Sequence, residues 1–307
     1  MKYILNVFSI LANLFNCLTT VFFSGIKVKT LVYTISHGKK RKLDLYLPNK
    51  TGEPSPIIIF IHGGGWMSGG KKIIEPGVLR QVKRGYSVAS ISYSFTPWKK
   101  WPTQAHEIKA AVRWLRANAK EYNLDSEKIL VWGVSAGAHL VNILGCSNTS
   151  TELEGNLEPK NISSEVQGVV SWYGFSDFSQ MGKNGFIAFL TNIATSLLVG
   201  ERIKRNTEKA KRANPINYIN QNTAPFFIMH GAKDTIVNIN QSELLHAALQ
   251  QQGIQSTYTR IPNYFHADVR FNQDVHIKKI EAFMDNIGLA TNKKISSIYS
   301  PNSISKP

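Results

Sequence analysis

The chain has 307 residues, 43% hydrophobic and 18% charged, with 22 Gly, 12 Pro and only two Cys. That profile excludes a disordered chain, a collagen and a coiled coil, and the cysteine count excludes a disulfide-stapled scaffold or a Cys-rich zinc module. Its 36 basic residues outnumber 20 acidic ones for a formal net charge of +16, so placement must decide whether nucleic acid or an anionic surface is implied.

In chain order, Tyr3 to Ile26 carries no charge and lies between Lys2 and Lys27. Its length suits a membrane span of about 20 apolar residues, and equally a secretory signal with a short positive start. Asn6, Asn13, Asn16, Thr19 and Thr20 dilute it, and no clean small-residue cleavage site follows. Residues 1–26 are therefore expected to be a signal peptide or membrane anchor, making the protein exported or membrane-anchored. A packed amphipathic helix there would leave it cytoplasmic instead. The main domain is expected over 27–290, with 291–307, rich in Ser, Asn, Lys and Pro, as a flexible tail.

Strand-like and helix-like segments then alternate. Leu43 to Leu47 reads as a strand stopped by Pro48. Ile57 to Ile61 is a continuous apolar run, as expected of a strand buried on both faces. Ser87 to Tyr93 is a strand, Gln104 to Tyr122 a helix with Ile108, Ala111, Val112, Leu115 and Ala119 on one face, and Ile129 to Trp132 a strand. Ala136 to Leu144 reads as a small-residue helix. Strands follow at Val166 to Trp172, Phe226 to His230 and Thr257 to Ile261, with helices over Gln241 to Gln251 and Val275 to Ile287. Such alternation predicts an α/β fold with a mostly parallel central sheet and helices on both faces. Gly182 to Asn214 interrupts it between two core strands, where an insertion can cover a site, so a small lid is expected at about 180–214.

The basic residues fall in loose groups at Lys39 to Lys42, Lys99-Lys100, Arg202 to Arg212 and Lys293-Lys294. None is interleaved with aromatics as a single-strand binding surface would be, so no specific nucleic-acid partner is expected. A weak pull toward anionic lipid stays open.

Two motifs carry chemistry. Gly133-Val134-Ser135-Ala136-Gly137 follows one predicted strand and opens a helix, the frame a G-x-S-x-G nucleophile elbow requires. The serine is left at a helix start, where N–H groups favour developing negative charge. His62-Gly63-Gly64-Gly65-Trp66 follows the Ile57 to Ile61 strand, and glycines there let backbone N–H groups approach and face an oxyanion. No phosphate-loop or dinucleotide fingerprint competes for this loop. A serine nucleophile needs a histidine base and an acid to orient it. Asp234 and His266 lie just past the Phe226 to His230 and Thr257 to Ile261 strands, in the order serine, acid, histidine. Asp177 and Asp268 are the competing acids; His230 is expected to brace the acid loop and His139 to pack. No metal site and no cofactor are expected, since neither H-E-x-x-H nor a Cys/His cluster is present.

With these motifs the chain resembles the α/β-hydrolase superfamily. Within it, it is similar to the HGGG-type esterases and lipases, near the hormone-sensitive-lipase-like and feruloyl-esterase-like (BD-FAE) branches. The likeness runs from Leu43 to Ile287 through Leu43 to Pro48, His62 to Trp66, Ser92-Tyr93, Ala110 to Ala119, Val131 to Leu140, Pro225 to Val237 and Asn263 to Ala267. It implies Ser135 as nucleophile, His266 as base, Asp234 as orienting acid, and Gly64, Gly65 and Ala136 as donors to the oxyanion. Tyr93-Ser94-Phe95 stands where the family often has Tyr-Arg-Leu, and Gly137-Ala138 where it often has Gly-Gly. The short stretch before Leu43 leaves no room for long N-terminal cap helices and favours the feruloyl-esterase-like branch.

The expected activity is a serine carboxylesterase acting on a small-molecule ester. An arylformamidase-like amide hydrolase with the same triad is the alternative, and a non-catalytic binding protein the remote one. Trp66, Trp98, Trp101 and Phe186 are candidate pocket residues. On acyl-chain length and oligomeric state the sequence is silent.

Overall fold

The computed structural model describes residues 26–49, 52–181, 185–201 and 207–291. The expected leader up to residue 25 and the tail from 292 lie outside the described residues, as do 182–184 and 202–206 of the expected lid. Strands are β1 (Lys27–Ser36), β2 (Lys39–Leu47), β3 (Ser55–Ile61), β4 (Ser87–Ile91), β5 (Leu124–Val134), β6 (Gly168–Trp172), β7 (Phe226–Gly231) and β8 (Ser256–Ile261). Helices are α1 (Pro76–Lys83), α2 (Thr103–Ala117), α3 (Ala119–Tyr122), α4 (Ala136–Cys146), α5 (Phe186–Val199), α6 (Glu208–Lys211), α7 (Asn240–Gln251) and α8 (Asp274–Asn286).

The strands form one sheet in the order β1-β2-β4-β3-β5-β6-β7-β8. β1 and β2 run antiparallel to their neighbours, and every pairing from β4 to β8 is parallel. β3 shows why the sheet needs helices on both sides. Ile57, Ile59 and Ile61 enter one core with α2, α4 and α7, whereas Ile58 and Phe60 enter the other with α1 and α8. Every side chain of β3 is buried, which is why it reads as an unbroken apolar run.

Three elements differ from the predicted ones. The hairpin β1–β2 extends the sheet at its edge, turning through His37 and Gly38, both at positive φ (47° and 71°), as a tight primed turn requires. β1 carries four exposed residues at its start, so its sequence shows little alternation. The predicted helix over Gln104 to Tyr122 breaks at Asn118, whose Nδ2 donates to the Trp114 carbonyl at 2.7 Å, and ends on left-handed Asn123. Finally, α1 begins with Pro76 in its first turn and buries Val78, Leu79 and Val82.

Ser94 accommodates the departure from Tyr-Arg-Leu. Its N–H and Oγ donate to the buried Glu107 carboxylate at 2.6 and 2.7 Å, and Arg41 of β2 supplies the cation at 3.1 Å. A buried carboxylate is tolerated only with such partners.

Candidate active site

The loops leaving the C-terminal ends of β3, β5, β6, β7 and β8 meet on one side of the sheet. There β5 hands directly into α4 through Ser135, at φ 54° and ψ −120°. That conformation costs a side-chain-bearing residue roughly 1–3 kcal/mol and must be held by its surroundings. The Ser135 N–H donates to the Trp172 carbonyl at 3.0 Å, and the Ser135 carbonyl accepts from the His139 N–H at 3.0 Å. The flanking glycines are steric necessities. A Cβ on Gly133 would run into the Gly137 carbonyl, and one on Gly137 into the carbonyl oxygens of Ile61 and His62. The motif spacing thus records how tightly strand, turn and helix pass one another.

Structure brings the three predicted residues together. His266 Nε2 lies 2.9 Å from Ser135 Oγ, and His266 Nδ1 lies 2.7 Å from Asp234 Oδ2. The other carboxylate oxygen accepts the Ile236 and Val237 N–H groups at 2.8 and 2.9 Å. His230 adds a further donor. Its Nε2 faces two acceptors, Asp234 Oδ2 at 3.1 Å and the Val237 carbonyl at 3.0 Å, so that nitrogen carries the proton. Its Nδ1 then accepts from Ser242 Oγ at 2.8 Å. Burial pushes the Asp234 carboxyl up, but the charge of His266 and the hydrogen bonds of both histidines outweigh it and hold the group well below the usual carboxylate range. The acid and histidine loops are also joined through backbone. Ala232 N–H donates to Ile261 and Lys233 N–H to Tyr264, each at 2.9 Å.

The competing acids have other work. Asp177 Oδ1 accepts from the Ser179 N–H and Asn214 Nδ2, both at 2.8 Å. Asp268 pairs with Arg270 at 2.6 Å and braces the loop that carries His266.

The glycine loop lies beside the serine. A Cβ on Gly63 would sit 3.2 Å from Ser135 Cβ, while Gly64 and Gly65 adopt positive φ of 114° and 60°. The Gly64 carbonyl points away and accepts the Met67 and Ser68 N–H groups at 3.1 Å. The Ala136 N–H, in the first turn of α4, has no partner within its helix. His62 is engaged with the loop itself. Its ring stacks on Tyr93 at 4.6 Å, its Nδ1 lies 2.7 Å from the Gly63 carbonyl, and burial pushes its pKa down to about 4.

A pocket of about 530 Å³ opens onto Ser135 and His266. Its walls include Gly63, Gly64 and Gly65, Trp66, Phe175, and Thr191 and Ala194 of α5, so the insertion does reach the site. Of the four aromatic candidates only Trp66 lines it; Trp98 and Phe186 stand mostly in solvent, and Trp101 packs on His139. Two titratable lining residues carry no motif. Tyr173, at positive φ (44°) after β6, places its ring 4.8 Å from that of His266. Glu75 precedes α1, and its Oε2 accepts Asn272 Nδ2 at 2.7 Å. Burial raises its carboxyl pKa against that hydrogen bond. Neither carries a local sequence signal: a tyrosine ending a strand and a glutamate before a proline have many ordinary uses.

The chain is similar to several known esterases. The chain is similar to Esterase LipQ of Mycobacterium tuberculosis (strain ATCC 25618 / H37Rv), 28% identical over 277 residues, covering 88% of this chain and 64% of that protein. Esterase LipC of the same organism is 31% identical over 194 residues, covering 62% of this chain and 47% of that protein. The chain thus spans about half to two thirds of the length of these curated relatives. Among solved structures, a truncated carbohydrate esterase from gut microbiota superposes with a TM-score of 0.76 at 26% identity, covering 85% of this chain and 96% of that one. A thermophilic esterase of the Planctomycetes species Thermogutta terrifontis, propionate-bound, superposes with a TM-score of 0.72 at 23% identity over 87% of this chain and 97% of that one, a likeness of fold. The BD-FAE family model matches residues 43–249, a span that holds the glycine loop, the serine elbow and the Asp234 loop and stops short of His266. With more than half of the chain matched and the fold in agreement, the chain belongs to the BD-FAE family of α/β-hydrolases.

Proposed function

We propose that the protein is a serine carboxylesterase for small or medium carboxylic esters. One observation carries the reading: the Ser135–His266–Asp234 chain of 2.9 and 2.7 Å contacts opens onto the 530 Å³ pocket. In this mechanism the Ser135 hydroxyl attacks the ester carbonyl carbon while His266 Nε2 takes its proton. The carbonyl oxygen becomes negative and receives N–H groups of Gly64, Gly65 and Ala136. The C–O bond then breaks, the alcohol leaves with the proton held on His266, and an acyl group remains on Ser135. Water, deprotonated by the same imidazole, releases the acid and restores the serine. Asp234 keeps the His266 proton on Nδ1 and stabilises the imidazolium. Removing one preorganised donor from such a site raises the barrier by about 3–4 kcal/mol.

The esterase names of the relatives and the mainly apolar pocket favour an ester over a formamide. Residues 1–26 belong to this reading as a signal or anchor, residues 27–290 as the catalytic domain with its lid at 180–214, and 291–307 as a tail. Among the described residues no helix is long and apolar enough to cross a membrane.

The test is a hydrolysis panel of p-nitrophenyl esters of rising chain length beside N-formylkynurenine, each with Ser135→Ala as control. Ester turnover that vanishes in the variant is the expected result. Formamide turnover alone would transfer the function to amide hydrolysis, and full activity in Ser135→Ala would overturn the site.

A further inference from the structure

Helix α5 is apolar on two sides. Its inner side, with Ala194, Thr195, Leu198 and Val199, is buried, and Thr191 and Ala194 line the catalytic pocket. Its outer side presents Phe186, Phe189, Leu190 and Ile193, each between 40% and 70% exposed. Their spacing, i, i+3, i+4 and i+7, sets them in one stripe. A helix at a protein's surface normally reserves that stripe for polar side chains. Four large apolar groups together there mark an interaction surface.

The surface continues past the helix. The Trp101 N–H donates to the Leu198 carbonyl at 2.8 Å, so the loop of Trp98, Lys99 and Lys100 abuts the C-terminal end of α5. The Lys100 stem lies against Gly200, and Trp98 is 79% exposed. Ile73, from the pocket wall, is also exposed.

Charge selects the occupant. Helix α5 has no charged residue, but from Lys183 to Arg212 the chain carries seven basic residues against Glu201 and Glu208. Among the described residues, Lys209, Lys211 and Arg212 pair with Glu201, Glu208 and Glu152, and Lys99 and Lys100 bring two further cations to the end of α5. A second copy with the same +16 would bring like charge to the contact. An uncharged apolar helix face flanked by cations and an exposed tryptophan is instead suited to a bilayer surface, where Trp sits at headgroup level and Lys meets anionic lipid. We propose that the outer face of α5, with Trp98, Lys99 and Lys100, is a docking surface for bilayers carrying anionic headgroups, and that it seats the pocket mouth at the membrane–water interface.

Docking is independent of turnover, so the full chain carrying Ser135→Ala binds as the parent does. The test uses phosphatidylcholine vesicles with and without phosphatidylglycerol. An environment-sensitive fluorophore is placed on Phe189→Cys in a Cys17→Ser background; the other cysteine, Cys146, is buried. The probe emission is expected to shift to the blue with the anionic vesicles only. The Lys99→Glu/Lys100→Glu pair should weaken cosedimentation about thirtyfold or more. The Phe186→Gln/Phe189→Gln pair should weaken it by about tenfold or more, with turnover of a water-soluble ester unchanged. Cosedimentation with an unshifted probe would overturn the proposal and assign binding to residues 3–25. Equal binding to both vesicles, or binding unchanged in the Gln pair, would also overturn it. So would a blue-shifted probe at doubled mass without lipid, which would give the face to a second copy.

Discussion

Asp234 accepts four hydrogen bonds, two from backbone N–H groups and two from histidines, and the two kinds do different things. The Ile236 and Val237 donors hold the side chain in place whatever its charge. The His266 contact depends on it being an acceptor. In Asp234→Asn an amide N–H can face His266 Nδ1, which pushes the imidazole proton to Nε2 and leaves nothing to accept from Ser135. The expected result is a fall in kcat of about 10⁴ with little change in KM. Steady-state kinetics beside a melting curve measures it. Activity within about tenfold of the parent would return the acid role to Asp177 or Asp268. At this scale the sequence was most legible where the chemistry needs a local backbone shape. Ser135 stands out because the elbow demands glycines on both sides, and Gly64 and Gly65 because the loop after β3 turns there at positive φ. Asp234 and His266 needed one more premise, that they end parallel strands. Glu75 and Tyr173 depend on which loops happen to fold over the pocket, and no local pattern encodes that.

Among the elements, those buried on both faces were read correctly, as with β3 and α4, because burial leaves an unbroken apolar signature. β1 was not, since an edge strand with an exposed, lysine-bearing start is held by its hairpin and not by a pattern. The insertion was legible as an interruption, and its contact with the site was not. Helix α5 reaches the pocket through Thr191 and Ala194, with Ala194 only 8% exposed. Ala194 therefore offers a way to resize the pocket without touching the triad. Ala194→Leu adds three carbon atoms on that wall. Turnover of p-nitrophenyl acetate should stay within about twofold, while the longest accepted acyl ester loses roughly tenfold in kcat/KM, the scale of one to two methylenes in an apolar pocket. The chain-length optimum moves to shorter esters. An equal loss across the series would mean that the wall is displaced as a whole, and that α5 supports the fold more than it shapes the pocket.

Across the whole molecule, two buried histidines tie the glycine loop, the nucleophile helix and the segment that returns from the insertion. His62 supports the loop from below. His139, on α4, donates through Nε2 to the Ala213 carbonyl at 2.7 Å and packs its ring on Trp66 and Phe178. Burial pushes the pKa of each from 6.5 down to about 4. Both are therefore neutral in the folded protein at a pH where the unfolded chain has already taken up protons. Because the folded value is the lower one, their contribution is fully present above about pH 6.5 and is lost as the pH falls toward 4. Each accounts for on the order of 3 kcal/mol at most. Asp234 acts in the same direction, but its own loss begins only as the pH enters the ordinary carboxylate range and continues below it, so its window lies on the acid side of the histidine one. Urea unfolding at pH 7 and pH 4.5 is expected to show a markedly less stable protein in acid. His139→Asn should be less stable than the parent at pH 7, where the Ala213 bond is lost. Its deficit should shrink at pH 4.5, because it no longer takes up a proton on unfolding. A deficit that stayed constant would place the acid sensitivity elsewhere in the chain. A deficit that grew would mean that His139 is protonated in the folded state, held by a partner other than the Ala213 carbonyl.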